Sequence, residues 1–280
     1  MPEMNFARFH GAVPKFQQYV LSAQEDILYI VPEAGTAPRR YDPFEDSEGL
    51  LLDVVRAGAA VADCGAFMDY CLSQKILPLN DAAFWRCGDF FALNPQMAEP
   101  LTDTLLAFVR RYGLPAWEQK GITTTYPARY EQRAMAVRQT DDDNTDYFLL
   151  YKTVQQACAS TGAFPVCTLA LTLLNFYLQF IEGIDAGYFS IHNTEWALKF
   201  EHKKAPELIA QVPDLTTCIN LAYARLVSGE GKAVRQCKHC QRFFIAEDLR
   251  AEYCSPRCRG AYNSKMTRKR VKERKLRGGQ

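Results

Sequence analysis

Histidine is scarce in this chain of 280 residues, which contains only His10, His192, His202 and His239. No two of them have the spacing of a metal-binding pair or a catalytic triad, and residues 241–280 lack the histidines that a His-metal nuclease needs. The chain also lacks a phosphate-binding P-loop and a GxGxxG dinucleotide motif. These absences predict a protein that is not an enzyme.

No export or membrane signal is evident either. The N-terminal sequence MPEMNFARFHGAVPKFQQYV has no basic segment followed by an apolar run, so the predicted location is cytoplasmic, where cysteines are free thiols or metal ligands. The longest uncharged stretch, residues 157–181, is long enough to span a bilayer, but Pro165 and several polar residues interrupt it. We predict a buried helix after Pro165 and no membrane partner.

The net charge of +1 conceals a strong asymmetry. Residues 231–280 carry 6 Lys and 9 Arg against 3 Glu and 1 Asp, a net charge of +11, which leaves −10 on residues 1–230. An acidic body with a basic tail predicts a tail that binds a polyanion, or one that folds back onto its own body. Glycines at positions 229 and 231 mark the expected boundary, so two domains are predicted, 1–230 and 231–280.

Hydrophobic periodicity predicts a mainly helical N-terminal domain. Apolar residues recur at helical spacing in residues 47–75, 99–112 and 214–228. A short strand is predicted at residues 26–33, and residues 187–204 could form a hairpin.

The most informative motif consists of two cysteine pairs, CKHC and CSPRC, separated by 13 residues. Two close pairs of thiolates on a short segment are what tetrahedral zinc requires. Four protein ligands fill the coordination shell, so the site is predicted to be structural rather than catalytic. The predicted zinc ligands are Cys237, Cys240, Cys254 and Cys258. His239 is predicted to be a surface residue, and the six other cysteines to be buried free thiols.

The residues around the two pairs predict a local fold. CKHC forms a knuckle, residues 242–253 form a hairpin, and Ser255 and Pro256 begin a helix with Cys258 in its first turn. The apolar packing is supplied by Phe243, Phe244, Ile245 and Tyr253. Knuckle, hairpin and helix in this order make a treble clef. The expected fold class is therefore α+β, with a predominantly helical N-terminal domain, a few short strands and a small C-terminal treble-clef zinc finger.

A strongly basic segment follows Cys258 and could continue the helix as far as Gly278. Its charges surround most of the circumference, and a helix that is charged on all sides does not pack into a core. Binding to nucleic-acid phosphates is one interpretation, and a solvated tail or one that lies on the acidic body is the other. The residues predicted to contact nucleic acid are Arg257, Arg259, Lys265, Arg268, Lys269, Arg270 and Lys272.

The segment CKHCQRFFIAEDLRAEYCSPRCRGAYNSKMTRKR, residues 237–270, resembles the C-terminal zinc finger of bacterial CGNR-type proteins. In that family a cysteine pair, an aromatic strand, a CS step and a basic helix occur in this order, after a mostly helical ABATE domain. The resemblance implies that residues 1–230 are ABATE-like and that the four cysteines bind zinc. The resemblance is that of a divergent relative or of a member of a neighbouring bacterial family, since the chain reads Arg259-Gly260-Ala261 after Cys258, where the Gly-Asn-Arg signature is absent.

The resemblance implies a transcription regulator. In this hypothesis the zinc finger and basic helix bind DNA, and the N-terminal domain binds a small molecule or a protein. The alternative is an interaction module in which the finger docks onto a protein or an RNA. Equal affinity for DNA, RNA and an unrelated polyanion would favour the alternative.

Overall fold

The structure is a computed structural model, and the residues that it describes fall into nine segments. They are residues 8–24, 27–73, 90–91, 94–115, 163–181, 195–199, 207–212, 214–229 and 231–277. The chain divides into two compact units, Met1–Tyr223 and Ala224–Gln280. The glycines at positions 229 and 231 lie inside the second unit.

Besides a short 3-10 helix at Pro43–Asp46, five α-helices that begin in the first unit have described bounds. They are α1 (Ser47–Asp63), α2 (Gly65–Ser73), α3 (Pro95–Tyr112), α4 (Val166–Ile181) and α5 (Leu215–Ala224). The prediction of a single helix at residues 47–75 is wrong, because the chain leaves the helical conformation at Cys64, with φ −77° and ψ 85°. Two helices, α1 and α2, occupy this part of the chain. Nothing in the local pattern of apolar residues marks that break.

Helices α1 and α4 pack against each other in the core of the first unit. Helix α4 is buried along most of its length, so the predicted buried helix after Pro165 is confirmed. Gly58 of α1 lies against the backbone carbonyl of Leu173, and a Cβ at this position would collide with Leu173 and Tyr177. The two helices therefore approach closely at a residue without a side chain. Among the described residues, no helix has the length and hydrophobicity needed to cross a membrane.

Helix α3 presents to the core the stripe that the sequence predicts. Its buried residues include Leu101, Leu105, Phe108, Val109 and Tyr112. Gly113 follows the helix with a φ of 84°, a left-handed conformation that glycine adopts readily. Arg110 and Arg111 occupy the last turn, where positive charge suits the helix dipole.

The strands described in the first unit form small sheets. The strands are β1 (Arg8–Gly11), β2 (Val13–Lys15), β3 (Tyr19–Gln24), β4 (Ile27–Pro32), β5 (Arg39–Tyr41), β6 (Phe164–Pro165), β7 (Glu195–Lys199) and β8 (Glu207–Val212). One sheet has the order β1-β8-β7, with β1 parallel and β7 antiparallel to β8. Strand β2 pairs with β5, and β3, β4 and β6 form an antiparallel sheet.

These strands confirm the predicted α+β class. The strand predicted at residues 26–33 is confirmed as β4. In the segment predicted as a hairpin, residues 195–199 form β7, which pairs with β8. Residues 187–194 and 200–204 lie outside the described residues, so the predicted hairpin itself stays a prediction.

Two of the described cysteines of the first unit depart from prediction, since Cys64 is only half-buried and Cys167 is not a free thiol. Cys71 and Cys218 are buried free thiols, as predicted, and burial raises the pKa of Cys71 to about 12. Cys167 is instead disulfide-bonded. The spacing of cysteines in a sequence does not show which thiols meet in space, which is why this bond was missed. Because disulfides are rare in a reducing cytosol, the bond gives the predicted location no support.

Candidate metal centre and basic helix

Among its described residues the second unit contains a short π-helix (Arg225–Gly229), two short strands and one long helix. Strands β9 (Ala233–Gln236) and β10 (Phe243–Ala246) are antiparallel, with Gln236 opposite Phe243 and Ala233 opposite Ala246. Helix α6 spans Pro256–Arg277. The first cysteine pair lies in the connection between the two strands, and the second pair lies at the start of the helix. We call residues 231–277 the finger.

The hairpin of the finger differs from the one predicted. Residues 243–246 form a strand as expected, but they pair with β9, on the other side of the first cysteine pair. Residues 251–253, the predicted second strand, form no strand. The knuckle is itself the turn of the hairpin, and the short segment Ala-Val-Arg-Gln that precedes it has too little alternation to predict a strand. The predicted helix after Ser255 is confirmed.

The four predicted metal ligands converge on one point. Their Sγ atoms all lie within 4.8 Å of one another. Sγ of Cys254 is 3.7 Å from Sγ of Cys240 and 3.5 Å from Sγ of Cys258. Four sulfurs at about 2.3 Å from a tetrahedral zinc ion would be about 3.8 Å apart, so this spacing fits one metal ion. A disulfide needs an S–S distance of about 2.0 Å, and the four thiols are free.

The surroundings of the four thiols affect their ionisation unequally. Desolvation opposes ionisation of Cys237, but hydrogen bonds from the knuckle backbone and from the backbone of Cys254 lower its pKa to about 6. The Arg242 side chain and backbone lower the pKa of Cys240. Desolvation and the neighbouring thiols raise the pKa of Cys254 to about 12. A bound cation would favour the thiolate at every sulfur, so the group as a whole is suited to a metal ion.

The first pair is held in a tight knuckle. The backbone N–H of Cys237 donates to the carbonyl oxygen of Arg242 at 3.0 Å, and the N–H of Gln241 donates to the carbonyl oxygen of Cys237 at 2.9 Å. Gln241 has a φ of 59°, in the left-handed region that residues other than glycine adopt at a cost in energy. The residue after the second cysteine therefore bears the backbone strain of the turn.

The second pair is placed by the start of α6. Ser255 caps the helix, as predicted, because its Oγ accepts a hydrogen bond from the backbone N–H of Cys258 at 3.2 Å. The knuckle is tied to the segment that leads to this cap. The N–H of Lys238 donates to the carbonyl oxygen of Glu252 at 3.0 Å, and Lys238 Nζ lies 2.5 Å from the Glu252 carboxylate. Backbone and side-chain contacts thus join the two halves of the candidate metal centre.

One face of α6 is anchored, and the rest of its described side chains are exposed. Cys258 is buried, and Tyr262 and Met266 are half-buried at successive steps of four residues. The ring of Tyr262 packs against that of Tyr253, with centroids 5.4 Å apart. Every side chain described from position 267 onward is exposed. This anchored face was not predicted, although the spacing of four residues from Cys258 to Tyr262 and Met266 indicates it.

The residues predicted to contact nucleic acid all lie on α6. All seven side chains of this set are exposed, namely Arg257, Arg259, Lys265, Arg268, Lys269, Arg270 and Lys272. Arg259 lies over the Tyr253 ring, 6.0 Å from its centroid, and Lys269 forms a long ion pair with Glu273 at 4.0 Å. The sequence of α6 contains 10 Lys and Arg residues and a single Glu, so the whole helix is strongly positive.

His239 has the position that the sequence predicts. It is exposed, and the four-cysteine group does not include it. The knuckle histidine therefore does not replace a thiolate in this arrangement.

Comparison of this chain with protein-family models, with curated proteins and with solved structures found no match. The resemblance of residues 237–270 to the CGNR-type finger therefore stays a prediction, based on the cysteines and on the basic segment that follows them. The structure itself shows a four-cysteine group that could hold a metal ion, next to an exposed basic helix.

Proposed function

We propose that the finger is a zinc-stabilised DNA-binding domain and that the chain is a transcription regulator acting through it. The observation that carries this proposal is the double role of α6. Its first turn supplies Cys258 to the candidate metal centre, while its exposed surface carries the densest positive charge in the chain. A metal ion at the four cysteines would therefore fix the direction of the basic helix.

Zinc is the metal that these donors favour. Four thiolates at tetrahedral spacing are a common structural zinc set, whereas calcium and magnesium prefer oxygen ligands. Few apolar side chains of the finger are fully buried, Val234 and Ala246 among them. Because such a small core provides little stability, metal binding would supply much of the folding free energy of the finger.

The charge of the finger favours a nucleic acid as its partner. A zinc tetrathiolate contributes about −2, so residues 231–280 would keep about +9 when zinc is bound. Exposed Lys and Arg side chains bind phosphates by displacing condensed counterions, which makes the affinity fall steeply as salt rises. The exposed basic residues of α6 would act in this way.

The test is fluorescence anisotropy with the full-length, zinc-loaded protein and a labelled DNA duplex over a range of salt concentrations. We expect binding at low salt and a steep linear fall of log K with log salt. Replacing Arg268 and Lys272 by Ala should weaken binding. The matched control replaces Arg39 and Arg40, two exposed arginines of β5, and should leave the affinity unchanged to within about twofold.

Other outcomes would refute the proposal or favour the alternative function. No binding at low salt, or binding without a salt dependence, would refute the proposal. Equal affinity for DNA, RNA and heparin would instead support the interaction module. Discrete peaks in chromatin immunoprecipitation would support the regulator, and their absence would count against it.

A further inference from the structure

The exposed surface of α6 carries two basic rows with neutral residues between them. At about 100° per residue, positions on the helix can be assigned relative to the anchored face of Cys258, Tyr262 and Met266. On one side of the helix, row 1 contains Arg259 and Arg270. On the other side, row 2 contains Arg257, Arg268 and Lys272. Between the rows, opposite the anchored face, lies a neutral strip of Gly260, Ser264, Thr267 and Val271. Two further exposed lysines, Lys265 and Lys269, lie on the anchored side of the helix and belong to neither row.

Positive charge on both sides of a helix fits a partner that has phosphates on both sides. The major groove of B-form DNA is about 12 Å wide, admits an α-helix, and is bordered by one phosphate backbone along each edge. A helix that lay along the outside of a single strand, or on a flat acidic surface, would need charge on one face only. The two rows of α6 therefore favour insertion into a groove.

The neutral strip is compatible with the floor of such a groove. Its side chains are small and exposed, and a Cβ at Gly260 would meet nothing within 4 Å. Hydroxyl groups can hydrogen-bond base edges in the major groove, and a side chain such as Val271, which is 48% exposed, can contact a thymine methyl group. The major groove of A-form RNA is too narrow for this arrangement.

We infer, on the basis of the proposed function, that α6 binds in the major groove of duplex DNA. Row 1 and row 2 contact the two phosphate backbones that border the groove, and the neutral strip faces the base pairs.

Dimethyl sulfate protection of a mixed-sequence duplex by the full-length, zinc-loaded protein tests the groove directly. The reagent methylates guanine N7 in the major groove and adenine N3 in the minor groove. We expect protection of guanine N7 and unchanged methylation of adenine N3. Protection of adenine N3 alone would overturn the inference while leaving DNA binding intact.

Variants of the two rows and of the neutral strip provide an independent readout. Arg270→Ala in row 1 and Arg268→Ala in row 2 should each lower the slope of log K against log salt by about one. Ser264→Trp should weaken duplex binding by at least about tenfold by blocking close approach, whereas Ser264→Ala should stay within about twofold of the parent. Zinc content and helicity, measured on each variant, verify that the finger is intact.

These outcomes separate the inference from the proposed function. Two results would overturn the groove assignment alone. One is salt-dependent binding in which substitution in only one row lowers the salt slope, and the other is a Ser264→Trp variant that binds DNA as tightly as the parent. Tighter binding to an A-form RNA duplex than to DNA would also overturn it. The absence of salt-dependent binding to any duplex would overturn both.

Discussion

The Oγ atom of Ser255 accepts a hydrogen bond from the backbone N–H of Cys258 at 3.2 Å, so the cap of α6 and a candidate metal ligand are directly connected. The same N-terminal turn therefore fixes the start of the basic helix and the position of one sulfur. Loss of either the cap or the metal should disturb the other.

Ser255→Ala should weaken both helix α6 and the metal site. Loss of an N-cap hydrogen bond costs about 1 kcal/mol, and part of this cost should appear as a lower zinc affinity because Cys258 lies in the capped turn. Competition with a chromophoric chelator measures the affinity, and circular dichroism measures the helicity. Ser255→Asp, which keeps a capping oxygen, is the control. An unchanged zinc affinity in Ser255→Ala would contradict the coupling.

Removing the first cysteine pair should abolish metal binding and unfold the finger. Elemental analysis of the parent should find about one zinc per chain, and Cys237→Ser with Cys240→Ser should lose it. The loss of metal should also lower the helical signal, because the finger has little core of its own. Cys64→Ser, at a half-buried free thiol of the first unit, is the control and should retain zinc. A finger that stays folded without metal would contradict the structural role.

Residue 241 should prefer glycine. With its φ of 59°, Gln241 has a conformation that costs about 1–2 kcal/mol for an ordinary residue and little for glycine. We expect zinc affinity to decrease in the order Gln241→Gly, parent, Gln241→Val, since a β-branched side chain tolerates the left-handed region least. The loss of the Gln241 side-chain bond to the Lys238 carbonyl oxygen would offset part of the gain from glycine. A valine variant that binds zinc as tightly as the parent would contradict this explanation.

The features that the sequence predicts correctly are those encoded by neighbouring residues. The two cysteine pairs, the cap at Ser255 and the stripe of α3 depend on spacings of a few residues, which a single sequence displays directly. The pairing of β1 with β8 joins segments at opposite ends of the first unit, and no local pattern specifies it. The hairpin of the finger was wrongly predicted for a related reason. Strand β10 could pair with the segment before the knuckle or with the segment after β10, and the local pattern does not distinguish the two. In the structure the knuckle forms the turn, and β10 pairs with β9.

Gly58 should be less tolerant of substitution than an ordinary helical glycine. Alanine in a helix is normally more stable than glycine by about 1 kcal/mol, but here a Cβ would collide with the backbone of Leu173 in α4. Because backbone must move to make room, Gly58→Ala should lower the free energy of unfolding by about 1–3 kcal/mol, measured by urea denaturation. The control is Gly65→Ala in α2, where a Cβ meets nothing within 4 Å. Equal stability of the two variants would contradict the close packing of α1 and α4.

The first unit should lose stability in alkaline solution because of two linked tyrosines. The Tyr41 hydroxyl donates to the carbonyl oxygen of Tyr112 at 2.6 Å, and the Tyr112 hydroxyl donates to the Asp53 carboxylate at 2.9 Å. Desolvation raises the pKa of both hydroxyls above the usual value, and the bond to Asp53 raises that of Tyr112 further. The protonated forms are therefore favoured in the folded state.

The sign of the pH dependence follows from these raised pKa values. A group whose pKa is higher in the folded state stabilises the fold fully below its unfolded pKa, about 10 for tyrosine, and this contribution is lost as the pH rises towards the folded pKa. The free energy of unfolding from urea titrations should thus decline above about pH 10. Tyr41→Phe combined with Tyr112→Phe should make that decline shallower, although the lost hydrogen bonds lower stability by about 1 kcal/mol each at neutral pH. Comparing the slope of unfolding free energy against pH in the parent and in the variant separates the contribution of the two tyrosines from that of other groups that titrate in this range. Identical slopes would contradict the assignment.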